Sequence, residues 1–414
     1  MGWKETCAME QRWKFIEEVQ RGEESVAELC RRYGVSRKTG YKWGRRYESG
    51  GMEVLADQSR AALHHPNQIS LEAERRVLDL RRKHPHWGPK KLAWKLKQSD
   101  LTDTPAVSTI GLMLKRHGLS WARKPKRRAT ATTSPLAHAV GPNQVWAADY
   151  KGWFYCQDGE RCYPLTITDS YSRCLLRCQV LERPEGERTR AVFEAAFREY
   201  GLPEAIRTDN GTPFSSVGLN GLSRLNVWWM RLGIRLERIE PGQPQQNGRH
   251  ERMHRTLQAE TANPAAATLR RQQARFDAFQ REYNRERPHE ALGMAVPQDW
   301  YASSPRQYPA RLPDYGYPAR CQTRLVGQDG SIRWNYARLS LTRALQGELV
   351  ALEEVAEGVW QVRFCQLLLG EFDEPRDGRR KRWRGWLQLR SPSGLPTLQP
   401  PAGPGEELLP IRLD

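Results

Sequence analysis

No stretch of the 414 residues approaches the roughly 18 consecutive apolar side chains of a membrane-spanning helix, which excludes an integral helical membrane protein. No charged-then-apolar leader opens the chain, so a cytoplasmic protein without a membrane partner is expected. Eight cysteines (7, 30, 156, 162, 174, 178, 321 and 365) include no C-x-x-C pair, which argues against a zinc ribbon or a dithiol redox site. Cys174 and Cys178 would be neighbours on a helix, but Leu175, Leu176 and Val180 around them read as strand. Acidic charge is also short: 48 Asp and Glu stand against 66 Lys and Arg, for a formal net charge of +18.

That surplus is uneven. Residues 1–128 hold 28 Lys/Arg and 15 Asp/Glu, so 28 − 15 = +13 lies in the first third of the chain. A basic end of this size favours a polyanion, nucleic acid before anionic membrane. The local pattern agrees. Ser25 and Glu28 have the spacing of a helix capping box, Gly34 suits a left-handed helix stop, and Ser36 suits the cap of the next helix. Arg37, Lys38, Tyr41 and Lys42 then fall on that second helix. Helix, Gly turn and basic helix make a helix-turn-helix over residues 1–58, with those four residues as candidate DNA contacts in the major groove. Residues 49–67 read as linker.

A second helix-turn-helix is expected over 66–122. Its first helix places Val77, Leu78 and Leu80 inward and Arg75, Arg76, Arg81 and Arg82 outward. His84 and His86 fall in the following Pro-bearing loop and read as exposed or structural rather than as metal ligands. Residues 123–142 form a basic linker whose Arg127 and Arg128 could follow a phosphate backbone.

From residue 143 strands and helices alternate: three strands, then helix, strand, helix, strand, helix. That order is of an RNase H-like α/β core, assigned to 143–310. Short strand candidates between Gly-bearing turns predict a small β-barrel over 320–375. Residues 376–414 open with an Arg/Lys run, turn Pro/Gly-rich, and are expected to be disordered.

Three acids stand in distinctive frames: Asp149 in Trp146-Ala147-Ala148-Asp149, Asp209 in Arg207-Thr208-Asp209-Asn210-Gly211, and Glu251 in Asn247-Gly248-Arg249-His250-Glu251. Asp149 falls in the first strand of the core and Asp209 at the end of its parallel neighbour. Glu251 falls on a helix 42 positions after Asp209 (251 − 209), able to face the same spot. Converging carboxylates form an oxygen cage for divalent cations and repel one another without one. Asp169 reads as a turn residue, Glu237 and Glu240 as solvent-facing, and Asp158 as part of a hairpin turn. His250-Glu251-Arg252-Met253-His254 is also an H-E-x-x-H, the zinc-protease pattern. The surrounding Arg249, Arg252 and Arg255 suit DNA phosphates better than a peptide cleft.

Together these frames resemble the DDE transposases of bacterial insertion sequences, which have a retroviral-integrase-type catalytic core. Arg207 to Phe214 resembles the second-Asp motif, Pro241 to Leu257 the third-carboxylate motif, and Tyr283 to Gly293 the segment downstream. The Asp209–Glu251 spacing is longer than is usual in integrases, and Gly221 to Trp229 occupies the extra stretch. The resemblance implies metal-dependent DNA cleavage and strand transfer at the ends of a mobile element. It implies two Mg²⁺ ions, or Mn²⁺ in their place, on Asp149, Asp209 and Glu251. Lys151, Asn247, Arg249, Arg252 and Arg255 become candidate DNA contacts. It further implies a nucleoid-associated bacterial protein that works as a homo-oligomer on paired DNA ends. The competing reading is a non-catalytic helix-turn-helix regulator with a degenerate core.

Overall fold

The computed structural model describes residues 7–57, 69–101, 103–120, 136, 138–240, 243–335, 337–374 and 386–390. They divide into two compact units, residues 1–70 and 71–414. In the first, α1 (Ala8–Arg21), α2 (Val26–Arg32) and α3 (Arg37–Gly50) enclose Phe15, Ile16, Leu29, Cys30 and Trp43. Ser25 and Glu28 form the predicted capping box. Gly34 adopts φ +66° between α2 and α3, a conformation costly for any residue with a Cβ. Ser36 then caps α3 by accepting from Thr39 N at 3.2 Å. The stretch after α3, expected as linker, first forms a 3₁₀ turn at Gly51–Leu55 that drives Leu55 fully into the core.

The second unit opens with α4 (Leu71–Lys83), α5 (Pro89–Lys97) and α6 (Val107–Arg116). Val77 is buried as expected, but Arg81 is buried too, contrary to the outward position assigned to it. Its guanidinium donates to the carbonyls of Trp87 at 2.6 Å and Leu119 at 2.8 Å, which compensates its loss of water. His84 is also buried, stacks on Trp87 and bonds Glu282 at 2.8 Å, a structural role. His86 is exposed.

The α/β core contains β1 (Val145–Tyr150), β2 (Phe154–Tyr155), β3 (Arg161–Asp169), β4 (Leu175–Leu181), α7 (Gly186–Tyr200), β5 (Ala205–Thr208), α8 (Arg224–Arg231), β6 (Arg235–Arg238), α9 (Gly248–Thr261) and α10 (Leu269–Arg285). The sheet runs β2-β3-β1-β5-β6, with β4 on β3. β1, β5 and β6 are mutually parallel and β3 is antiparallel to β1. One face carries Phe193 and Phe197 of α7 with Trp228 and Trp229 of α8; α9 and α10 cover another cluster through Met253, Leu257, Phe276 and Phe279. Fully burying a side chain of this size contributes about 1.5–3 kcal/mol, so these faces fix where the helices lie.

The extra stretch Gly221 to Trp229 supplies most of α8. This helix is apolar on two sides: Leu225, Trp228 and Trp229 enter the α/β core, while Val227 and Met230 enter the C-terminal core. A helix apolar all round is one that must be buried. The C-terminal part contains β7 (Gln322–Leu325), β8 (Ser331–Trp334), β9 (Ala337–Ser340), β10 (Leu349–Ala356), β11 (Val359–Phe364), β12 (Leu367–Asp373) and β13 (Trp386–Leu387). They form two open sheets, β12-β11-β10-β7 and β13-β9-β8. The expected small β-barrel is therefore corrected: among the described residues no sheet closes, and the two sheets share one apolar core. Part of the tail expected to be disordered takes part in this, because β13 pairs in parallel with β9 and Arg390 bridges to Glu371. Residues 391–414 lie outside the described residues.

Candidate active site and nucleic-acid interface

β1 and β5 pair in parallel with Val145 opposite Ala205, Trp146 opposite Ile206 and Ala147 opposite Arg207. Each pair differs by 60 positions (205 − 145). Extended two residues past its last pair, this register would bring Asp149 level with Asp209, which lies just beyond the end of β5. Beyond β5 the chain turns sharply. Gly211 N donates to Asp209 Oδ1 at 3.1 Å, and Asn210 Nδ2 donates to the carbonyl of Ile239 at 2.7 Å, tying the turn to the end of β6. Gly211 does not take a left-handed φ. Its missing side chain matters because a Cβ would lie 3.0 Å from Asp209 Oδ2. Glu237 is not solvent-facing as expected: it accepts from Arg207 at 2.9 Å, and both side chains are largely covered.

α9 packs on this sheet through His250, Met253, His254 and Leu257. Glu251, beside that buried stripe, is exposed. The Asp149 carboxyl is pushed up to about 7, first by burial, next by the charge of Asp209, with Glu251 also raising it and Lys151 lowering it. Asp149 thus feels both of the other acids, a repulsion that a divalent cation relieves. Oxygen donors of this kind fit a hard cation such as Mg²⁺.

The histidines of the H-E-x-x-H pattern are held differently from zinc ligands. His250 Nε2 lies 2.7 Å and His254 Nε2 2.6 Å from Thr166 Oγ1, and His250 Nδ1 lies 2.8 Å from Thr168 Oγ1. Both ring nitrogens of His250 are therefore engaged by β3. Burial pushes the His250 imidazole down to about 3, and burial together with His250 lowers His254, so both are neutral. Asp149, His250 and His254 do present ligand atoms within 4.8 Å of one another. Asp149, Asp209 and Glu251 do not form such a group. Thr166, which organises both imidazoles, carried no sequence signal, because its partners lie 84 and 88 positions away.

Two comparisons with known proteins bear on these features. Models described as integrase core domain match residues 139–244 and 232–297; a helix-turn-helix model matches 11–62 and a homeodomain-like model 39–114. A 31.7 kDa protein of insertion element IS407 from Burkholderia multivorans is 29% identical over 187 residues, 45% of this chain and 65% of that relative. The chain thus has regions that match the integrase core domain, and it is similar to a protein of an insertion element. A 39.2 kDa protein of insertion element IS476 from Xanthomonas euvesicatoria is 26% identical over 256 residues, 60% of this chain and 71% of that one. The HTLV-2 integrase catalytic core in complex with magnesium aligns with 40% of the chain and all of its own at 14% identity, with a TM-score of 0.32, too slight a likeness to bear on the site.

The candidate DNA contacts fall in separate places. Arg37, Lys38, Tyr41 and Lys42 are exposed on α3, whose Gly40 and Trp43 face inward. Lys151 is half-buried and follows β1 beside Asp149. Arg249, Arg252 and Arg255 are exposed on α9, and Asn247 is buried just before it. Arg249 also has a structural bond, donating to the Ser170 carbonyl at 3.0 Å. Arg127 and Arg128 lie outside the described residues. All eight cysteines are free thiols, Cys174 and Cys178 on or beside β4. Among the described residues no helix is long and apolar enough to cross a membrane.

Proposed function

We propose that this protein is a DDE transposase, a metal-dependent polynucleotidyl transferase that cuts the ends of a mobile DNA element and joins them to a target. The observation that carries the reading is the parallel β1–β5 register. Extended past its last pair, Ala147 with Arg207, it would bring Asp149 level with Asp209, and both Asp209 and Glu251 raise the Asp149 carboxyl. Asp149, Asp209 and Glu251 are the residues that would hold two Mg²⁺ ions. When bound, such ions activate a water or 3′-hydroxyl and stabilise the leaving oxygen of an in-line phosphoryl transfer.

The rest of the work falls to the chain. His250, His254 and Thr166 brace α9 against β3, which fixes the height of Glu251 over the sheet. Lys151 offsets part of the carboxylate repulsion. α3 reads the element end through Arg37, Lys38, Tyr41 and Lys42, by the major-groove geometry of helix-turn-helix proteins. The domain limits 1–58, 66–122, 143–310 and 320–375 serve as working boundaries for binding, linking and catalysis. Paired ends call for a homo-oligomer on the DNA, acting at the nucleoid.

A strand-transfer assay with labelled linear ends tests the proposal. Activity with Mg²⁺, its loss in EDTA and its loss in Asp209→Asn are expected. Activity that survives Asp149→Asn combined with Asp209→Asn sinks the mechanism. DNA binding with no transfer under any metal would leave the helix-turn-helix regulator as the better account.

A further inference from the structure

α9 has a second flank. Glu251 and Arg249 are each one residue from the buried His250, hence about 100° to either side of it. On the Arg249 flank lies a cavity of about 800 Å³. Its cations come from five places: Arg249 and Arg252 of α9, Arg173 of the β3–β4 turn, Arg207 of β5, Lys91 of α5 in the second helical unit, and Arg287 of the segment after α10, which also brings His289.

The turn that presents Arg173 is built for it. Asp169 Oδ2 accepts from Ser172 N at 2.7 Å and Ser172 Oγ at 2.6 Å, and Oδ1 accepts from Asn143 N at 2.8 Å. This is the turn role expected of Asp169. Arg173 follows at φ +65°, a left-handed conformation that is uncommon for Arg. Its Nε is buried with no hydrogen-bond partner, as is His289 Nε2. Buried polar atoms without partners are rare and point to a ligand or water that completes them.

The charge in the cavity is balanced only in part: Glu260, Glu290 and Glu282 act on Lys91, yet the acids nearby have other partners. Asp169 is used by its own turn, Glu290 pairs with Lys90 at 3.0 Å and Arg287 with Glu260 at 2.6 Å. No ion pair to Lys91, Arg173 or Arg252 occurs among the described residues. Lys91 is pushed down to about 8, by burial first and then by Arg287; Arg173 is lowered by burial and then by Arg249. Cations that oppose one another in a half-desolvated cavity call for an anion.

We propose that this cavity binds a backbone phosphate of a DNA strand, at a site separate from the carboxylates and on the opposite flank of α9. Guanidiniums suit phosphate because they donate in a planar fork. A DNA strand is favoured over a free anion because the cations belong jointly to a helix-turn-helix unit and to an integrase core. A strand seated there touches both. The inference rests on the DNA-handling reading above.

The test uses the full chain in EDTA, so that binding is read without chemistry. A double variant, Arg173→Asn with Lys91→Gln, keeps a residue tolerant of left-handed φ at 173. Affinity for a linear duplex is expected to fall roughly tenfold, and the slope of log K against log [salt] to shrink by about 0.9 for each phosphate lost. Unchanged affinity and slope overturn the proposal. If the double variant does not fold, the wild-type chain is cross-linked to DNA carrying photoreactive phosphorothioates. Adducts in the peptides containing Arg173 and Lys91 are expected, and adducts confined to α3 overturn it. Titration with pyrophosphate separates the two sources of phosphate: pyrophosphate binding that is lost in the double variant while duplex affinity stays intact assigns a free anion and overturns the DNA assignment. A wild-type chain that binds no DNA fails the parent reading instead.

Discussion

His254 Nδ1 lies 3.7 Å from Asp149 Oδ2, while its Nε2 is 2.6 Å from Thr166 Oγ1. The imidazole therefore ties α9, which carries Glu251, to β3 and stands beside the first acid without bonding it. Partners one step behind a metal ligand commonly change metal affinity or activity by about 10–100-fold when removed. His254→Ala should raise the Mg²⁺ concentration for half-maximal strand transfer by roughly that factor. It should also cost about 2–4 kcal/mol of stability for the cavity it leaves. A lower melting temperature with an unchanged Mg²⁺ requirement would reduce His254 to packing.

Asp149 itself should destabilise the metal-free protein near neutral pH. Its carboxyl titrates at about 7 in the fold, because of burial first and Asp209 next, against roughly 3.9 in an unfolded chain. Between those values the folded state holds a proton that the unfolded chain has lost. Stability therefore falls as pH rises through the window, and the full penalty applies above it. Asp149→Asn removes the charge, so in EDTA at pH 8 the variant should be more stable than wild type, by about 4 kcal/mol at most, and melt at a higher temperature. Added Mg²⁺ should narrow the gap by binding the folded wild type. Equal melting temperatures in EDTA would show that Asp149 carries no such penalty.

Gly40 and Gly44 of α3 should respond to alanine with opposite signs. A Cβ at Gly40 would lie 2.5 Å from Cys30 Sγ and 3.0 Å from Phe15 Cζ, both buried in the core of the first unit. Gly44 has nothing within 4 Å. Gly40→Ala overpacks the α2–α3 contact, a change that costs about 1–3 kcal/mol, and should weaken DNA binding by tilting α3. Gly44→Ala gains about 1 kcal/mol of helix propensity. Thermal unfolding followed by circular dichroism, with duplex binding alongside, separates them; two shifts of the same sign would contradict the packing described.

The elements of this protein were legible where one segment decides its own fate. The Ser25–Glu28 box, the Gly34 stop and the strand order of the core depend on local chemistry and period. So did the strands of Asp149 and Asp209, because an apolar run ending in Asp-Asn-Gly marks a strand and its exit. What escaped depends on partners far along the chain. Arg81 looked outward until the carbonyls of Trp87 and Leu119 were placed beside it, and Glu237 until Arg207 was. The β-barrel expectation missed β9, which pairs with β8 and with β13, and it missed β13 itself, which the Pro/Gly-rich composition of the tail concealed. The cationic cavity was illegible for the same reason. Arg173 and Lys91 are 82 positions apart (173 − 91) and meet only when α5 docks on the core.

That docking supplies the last prediction. His84 Nδ1 meets Glu282 Oε1 at 2.8 Å, with the histidine side chain only 2% exposed; Lys90–Glu290 and Lys83–Glu286 are exposed pairs at 3.0 and 3.5 Å. Exposed pairs contribute about 0–1 kcal/mol, whereas breaking a buried hydrogen bond costs about 1–3 kcal/mol. Glu282→Ala should therefore loosen α4–α6 from the core and Lys90→Ala should not. Burial raises the Glu282 carboxyl, but the bond and charge of His84 more than reverse this, and the group ends below its ordinary value. Its contribution is then present above roughly pH 4.3 and is lost as pH falls through the folded value. Limited proteolysis at pH 7 should cut Glu282→Ala within residues 83–120 faster than wild type, with Lys90→Ala matching wild type. Equal cutting of all three would mean that α5 is held by apolar packing alone, and that Lys91 reaches the cavity without help from the His84–Glu282 bond.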